Sequence, residues 1–148
     1  MDQINVGRML GCCGRLAKLN VDAELRRNGY DVTPVQSHFL VYLSNHRGED
    51  VTQRDLEHAL KLKPSTINGV VERLLEKNYI SRCLSPTDGR CRLLRLTEEG
   101  EKMVESFRTA LERTDRMVVS ELTEDEQVVL EKLLRRIITS LENEVNKP

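Results

Sequence analysis

Residues 79–100 read Tyr79, Ile80, Ser81, Arg82, Cys83, Leu84, Ser85, Pro86, Thr87, Asp88, Gly89, Arg90, Cys91, Arg92, Leu93, Leu94, Arg95, Leu96, Thr97, Glu98, Glu99, Gly100, and the fold turns on this stretch. Two short runs mixing apolar and basic residues flank a Pro, Asp and Gly turn, the composition of a β-hairpin with a sharply bent tip. Arg82, Arg90, Arg92 and Arg95 share the hairpin with one acid, Asp88, so it offers guanidinium groups to an anionic partner. Taken alone, the segment could equally be an edge hairpin that uses Arg to block aggregation. The residues before it decide between the two.

Thr52, Gln53, Arg54, Asp55 has the spacing of a capping box, in which hydroxyl and carboxylate each satisfy a backbone N–H at a helix start. That helix is expected to bury Leu56, Ala59 and Leu60. Lys61 to Lys63 reads as a turn before Pro64, a residue suited to the first helical position because its missing N–H is not needed there. From Pro64 to about Asn78, Ile67, Val70, Val71, Leu74 and Leu75 recur on one helical face. Ser65, Thr66, Asn68, Gly69, Glu72 and Arg73 face away. Small hydrogen-bonding residues at the N-terminal end of a helix suit contact with base edges in a major groove, although a solvated face would look the same in isolation. Helix, turn, helix and basic hairpin in succession form a winged helix-turn-helix.

Asp88, Gly89, Arg90, then Leu96, Thr97 and Gly100 resemble the wing signature of the MarR family of bacterial transcription regulators. The run from Arg73 to Arg82 is similar to that family's exit from the recognition helix, and the likeness covers nearly the whole chain. The resemblance implies that Arg90 enters a minor groove, that Asp88 steadies the wing, and that Ser65, Thr66, Asn68 and Gly69 lie where recognition-helix contacts fall. Gln53, Arg54, Lys63, Arg73, Gly89 and Arg92 complete the expected DNA-contacting set. The family often carries a basic residue where this chain has Gly69, a departure that bears on the target sequence rather than on DNA binding as such.

The chain has 148 residues and a net charge of −1, enough length for one core but an unpromising charge for a nucleic-acid binder. Divided along the chain, it looks different. Residues 52–96 hold nine bases against five acids, a balance of +4, while residues 97–148 hold eight against thirteen, a balance of −5. The positive field is local, which is what neutralising phosphates requires. No stretch approaches eighteen apolar residues and the start is too polar for a signal peptide, so the expected location is the cytoplasm, with the four cysteines mostly reduced.

Residues 4 to about 28 place Val6, Met9, Leu10, Cys13, Leu16, Ala17 and Ala23 at helical spacing, with Gly7, Gly11 and Gly14 lowering propensity and Gly29 ending the helix. Thr33, Pro34, Val35, Gln36 is a second capping box, opening a helix that buries Phe39, Leu40, Leu43 and, less firmly marked, Val35. Thr97 caps a long helix whose stripe is Met103, Phe107, Ala110, Leu111, Thr114, Met117 and Val118. Thr123 to Glu126 is a third box, before a helix carrying Val129, Leu130, Leu133, Leu134, Ile137, Ile138, Leu141 and Val145. These stripes at the chain ends are too wide for one neighbour and are expected to interlock with a second copy. A pair of recognition helices about one DNA turn apart would then read a palindrome. The expected architecture is mainly α with a small β-hairpin wing: one MarR-like domain over 1–148, with a winged helix-turn-helix lobe at 33–96 and a helical dimerisation region at 1–30 and 97–148.

The signal sensed is less plainly written. Cys12 and Cys13 sit on or beside the first helix's stripe, where a buried structural cysteine is the ordinary role. A peroxide or electrophile sensor is the sharper one, as in some relatives, with Arg8 and Arg15 near enough in sequence to favour a thiolate. Cys83 and Cys91 come within disulfide reach if the hairpin register centres near Thr87. His38 and Tyr42 share a face at i and i+4. The family resemblance implies a pocket for a small aromatic or lipophilic effector between the DNA-binding lobe and the dimer helices, although a satisfied core histidine accounts for His38 as well. No metal-ligand spacing, phosphate loop, nucleophile elbow or cofactor motif is present, so no enzyme, metal or cofactor is expected. The expected function is a DNA-binding repressor released by a ligand or by oxidation, with a thiol-based redox regulator and a winged helix that binds only protein as the alternatives.

Overall fold

A computed structural model describes residues 5–147. The element order is α1 (Val6–Arg27), α2 (Pro34–Asn45), α3 (Gln53–Leu60), α4 (Pro64–Glu76), β1 (Ile80–Leu84), β2 (Arg92–Leu96), α5 (Glu98–Val118) and α6 (Glu124–Val145). This is the expected mainly helical winged helix-turn-helix. The chain divides into two compact units, Met1–Glu112 and Arg113–Pro148, the boundary falling inside α5.

The helix starts follow from local chemistry. Thr33, Thr52 and Thr123 each make a complete capping box, with Gln36, Asp55 and Glu126. Gly29, at φ +84°, ends α1, and Lys61, in the left-handed region at φ 51°, ends α3, leaving Lys61 to Lys63 as the helix-turn-helix turn. The Thr52 hydroxyl, then the Thr52 N–H, hold the Asp55 carboxyl below its ordinary 3.8. The Thr123 N–H, then its hydroxyl, hold Glu126 below 4.5. A depressed folded value contributes stability that is present above the unfolded value and lost as pH falls through the folded one. Asp55→Asn is therefore expected to be less stable than the wild type at neutral pH, the two converging as pH drops below 3.8; urea unfolding at a series of pH values checks this.

In the first unit the core gathers Phe39, Leu40 and Leu43 of α2, Leu56 of α3, Ile67, Val71 and Leu74 of α4, Ile80, Leu94 and the α5 residues Met103, Val104 and Ala110, joined by Val21 and Leu25 from the end of α1. Ala59, expected inside, is exposed, and Leu60 is only half-buried, because the eight residues of α3 make little more than two turns and Leu56 fills the face turned to the core. Val35 is likewise half-buried.

β1 and β2 pair antiparallel with Ile80 opposite Leu96, Cys83 opposite Leu93 and Leu84 opposite Arg92. The register thus centres on Asp88, not Thr87, which corrects the cysteine expectation. Cys91 stands across from Ser85, whose N–H donates to the Cys91 carbonyl at 2.9 Å. Cys83 and Cys91 are diagonal neighbours, at a spacing of roughly 7–8 Å that exceeds disulfide reach, and both are free thiols. The sheet also gains a short third segment, since Thr52 bridges Leu93 and the Leu94 N–H donates to the Val51 carbonyl at 2.8 Å.

The apolar stripes at the chain ends are mostly uncovered within one copy. In the first half of α1, Val6, Met9, Leu16, Cys12 and Cys13 are exposed. In the second unit no residue of α6 is buried, and Val128, Val129, Leu133, Ile138, Leu141 and Val145 are exposed. That unit's own turn is held by Gln127, whose amide donates to the carbonyls of Leu122 at 3.0 Å and Val119 at 3.4 Å. Among the described residues no helix is long and apolar enough to cross a membrane.

Candidate nucleic-acid interface

The second helix of the motif, α4, buries Ile67, Val71 and Leu74 and so turns Ser65, Thr66, Asn68, Gly69, Glu72 and Arg73 outward, all of them exposed. Its N-cap residue, Lys63, makes no side-chain cap, in contrast to the boxed starts of α2, α3 and α6. The first-turn amides and the positive end of the helix dipole are therefore presented outward, where a phosphate oxygen can accept from them. Arg54 and Lys63 are exposed and Gln53 is half-buried; α3 packs on α4 and β2, and α4 on β1. These contacts place both helices and the hairpin in one body. An added Cβ at Gly69 would meet nothing within 4 Å. Gly69→Ala is accordingly expected to raise stability by about 1 kcal/mol through helix propensity alone, measured by denaturant unfolding.

The wing tip is ordered by polar groups of its own. Ser85, 8% exposed, accepts from the N–H groups of Thr87 and Asp88 at 3.3 Å. Asp88 Oδ1 accepts from the Arg90 N–H at 3.0 Å, and the Asp88 carbonyl accepts from Cys91 at 2.9 Å. Asp88 therefore steadies the turn that carries Arg90. The part played by Ser85 was missed in the sequence, where it reads only as the end of the run before the turn.

The four hairpin arginines are not equivalent. Arg82 pairs with Glu72 of α4 at 2.6 Å and Arg95 with Asp50 at 3.1 Å, so these two brace the wing against the rest of the unit. That corrects the expectation that all four are on offer. Arg90 and Arg92 are exposed and, among the described residues, no carboxylate lies within ion-pair distance of either. Arg73 is in the same position, which leaves the unneutralised charge at the wing tip and along the outer face of α4.

The residues considered for signal sensing are not brought together. His38 is exposed, which removes the core-histidine reading, and the half-buried Tyr42 stacks instead on His46, ring centroids 4.0 Å apart at 22°. His46 in turn lines a cavity of about 190 Å³ with Arg47, Glu101, Arg95 and an apolar floor of Leu43 and Val51. Cys12 and Cys13 are both exposed within one copy, on the same uncovered first half of α1 as Val6, Met9 and Leu16; Arg15 Nη2 lies 3.8 Å from Cys12 Sγ. Among the described residues no cluster of His, Cys, Asp or Glu is arranged to hold a metal.

This arrangement has close counterparts. The MarR family profile matches residues 30–90. The HTH-type transcriptional regulator BilQ of Clostridium symbiosum is 30% identical over 115 residues, covering 78% of this chain and 77% of that protein. The match to the uncharacterized HTH-type transcriptional regulator YdgJ of Bacillus subtilis, 24% identical, covers 66% of this chain and spans 60% of that relative's length. Among solved structures, MepR, a transcription regulator of the Staphylococcus aureus multidrug efflux pump MepA, superposes with a TM-score of 0.79 at 28% identity, covering 95% of this chain and 99% of that one. MepR has also been solved in complex with DNA, at a TM-score of 0.71, 27% identity and 93% and 99% coverage, and bound to ethidium bromide, at 0.71, 27%, 95% and 99%. With an exposed polar recognition helix, a wing whose signature residues form its turn, and these relatives, the chain belongs to the MarR family of helix-turn-helix transcription regulators.

Proposed function

We propose that the chain is a cytoplasmic homodimeric repressor that reads a palindromic operator in double-stranded DNA and lets go when a small aromatic or lipophilic molecule, or an oxidant, changes the separation of its two reading heads. The observation that carries this reading is the pairing of an outward polar face on α4 with a wing tip whose Arg90 and Arg92 have no acidic partner among the described residues. Ser65, Thr66, Asn68 and the backbone at Gly69 take the major groove, Arg90 the minor groove, and Gln53, Arg54, Lys63, Arg73 and Arg92 the phosphates and nearby edges. The lobe at 33–96 does the reading, while 1–30 and 97–148 join the copies in one MarR-like domain each. Uncovered apolar side chains on α1 and α6 support that pairing, since an isolated chain would leave them in water. The DNA complex of MepR supports the docking, and its ethidium complex supports an aromatic ligand. Sedimentation of the purified protein with fragments selected from a random-sequence library tests the reading. Two chains per inverted repeat is the expected stoichiometry, and a monomer that selects no sequence overturns it.

Oxidation is the second reading, favoured by the Arg15 guanidinium 3.8 Å from Cys12 Sγ, with Cys13 next in the chain. Attack of a thiolate on hydrogen peroxide would form an S–O bond and break the O–O bond, leaving a sulfenic acid and hydroxide, which takes a proton from solvent to become water. If so, peroxide releases wild-type protein from DNA while Cys12→Ser or Cys13→Ser stays bound in the same gel-shift assay. A wild type indifferent to peroxide leaves the aromatic ligand as the signal.

A further inference from the structure

Two of the three residues between α4 and β1, Asn78 and Tyr79, are gripped by Thr97 and the first turn of α5. The Thr97 hydroxyl donates to the Asn78 carbonyl at 2.6 Å and accepts from the Gly100 N–H at 3.1 Å. The Thr97 N–H donates to the Tyr79 carbonyl at 3.0 Å. Gly100 lies against that same carbonyl so closely that a Cβ on it would stand 2.0 Å from the oxygen. Asn78 adopts φ 57°, turning the chain so that its carbonyl and that of Tyr79 both meet α5. From the other side, the Tyr79 ring leans on the Tyr30 ring, centroids 6.3 Å apart at 55°, and Lys77 Nζ donates to the Asp31 carbonyl. The hairpin base, Ile80 opposite Leu96, adjoins this junction. The exit of the recognition helix and both strands of the wing therefore meet at one point, at the start of α5.

We propose that Thr97, Gly100 and the carbonyls of Asn78 and Tyr79 form a latch that fixes the angle between the reading head and α5, and thereby the spacing of two heads on a palindrome. This rests on the DNA reading proposed above. Geometry gives the latch its leverage: the part of α5 inside the first unit runs from Glu98 to Glu112 and is about 22 Å long. Slack of about 10° at its base moves its end by about 4 Å, more than the roughly 3.4 Å rise of one base step. A single head on a single half-site needs no such precision. Thr97 is thus a positioning residue that touches no DNA, and its loss should be felt only where two heads must land together.

The test compares Thr97→Val with wild type on two duplexes, a palindrome selected by the wild type from a random library and the same duplex with one half scrambled. Thr97→Val is expected to lose at least tenfold in affinity for the palindrome and less than twofold for the single half-site, with Thr97→Ser, which keeps the hydroxyl, restoring the wild-type preference. Equal losses on both duplexes, which is also what a misfolded variant would give in place of selective loss, or a full wild-type preference in Thr97→Val, overturn the latch while leaving DNA reading intact. A wild type that does not distinguish the two duplexes overturns the latch and the dimeric reading together.

Discussion

Arg90→Ala is expected to weaken binding to a selected palindromic duplex by about a hundredfold while leaving the melting temperature unchanged. Each wing tip presents one Arg90 guanidinium, exposed and without an acidic partner among the described residues. A charge-assisted hydrogen bond contributes about 1.5 kcal/mol or more. Two wings per dimer lose about 3 kcal/mol, which is about a hundredfold in affinity. Folding is spared because the turn is held by Asp88, which accepts from the Arg90 backbone N–H, and alanine keeps that N–H. A gel-shift titration beside a thermal melt checks both halves, and unchanged affinity would falsify the wing's part in binding.

Gly100→Ala is expected to act in the opposite way, through the fold. Its Cβ would be built 2.0 Å from the Tyr79 carbonyl oxygen and 3.0 Å from Leu96 Cδ2. The leucine end can shift, but the carbonyl cannot retreat without breaking its bond from the Thr97 N–H. Forcing a methyl into such a contact costs about 3 kcal/mol, or about 9 °C of melting temperature for a chain of this size. Gly69→Ala is the matched control, since its Cβ meets nothing within 4 Å; a melt in which Gly100→Ala and Gly69→Ala move together would contradict the close approach.

The features legible in the sequence are those whose physics is local. A threonine three residues before an acid or amide, at the edge of an apolar helical repeat, marks a helix start from its own few neighbours, and Thr33, Thr52 and Thr123 all cap as read. Pro64 opens α4 and Gly29 closes α1 for similarly local reasons. What escaped depends on contacts between distant residues. The hairpin register centres on Asp88 rather than Thr87, with Ser85 turned inward to hold the tip, and a Pro-containing turn does not announce which flanking residue will do so. Arg82 and Arg95 looked free because Glu72 and Asp50 lie ten or more positions away. Gly100 is visible as a motif glycine, yet its reason, a carbonyl from residue 79 against its Cα, belongs to the folded chain. Within the site, the outward face of α4 followed directly from helical periodicity. The sensor residues did not separate: His38 and Tyr42 share a face by spacing, but Tyr42 found His46 instead, and Cys12 and Cys13 share the exposure of Val6, Met9 and Leu16 on the uncovered part of α1.

Binding to a selected palindromic duplex, measured over a range of salt concentrations, tests most directly whether the basic middle of the chain grips phosphate. Residues 52–96 carry a balance of +4 in each copy. A dimer neutralising six or more phosphates gives a slope of log affinity against log salt of about −5 or steeper. A slope near zero, or no measurable binding at low salt, would contradict the account.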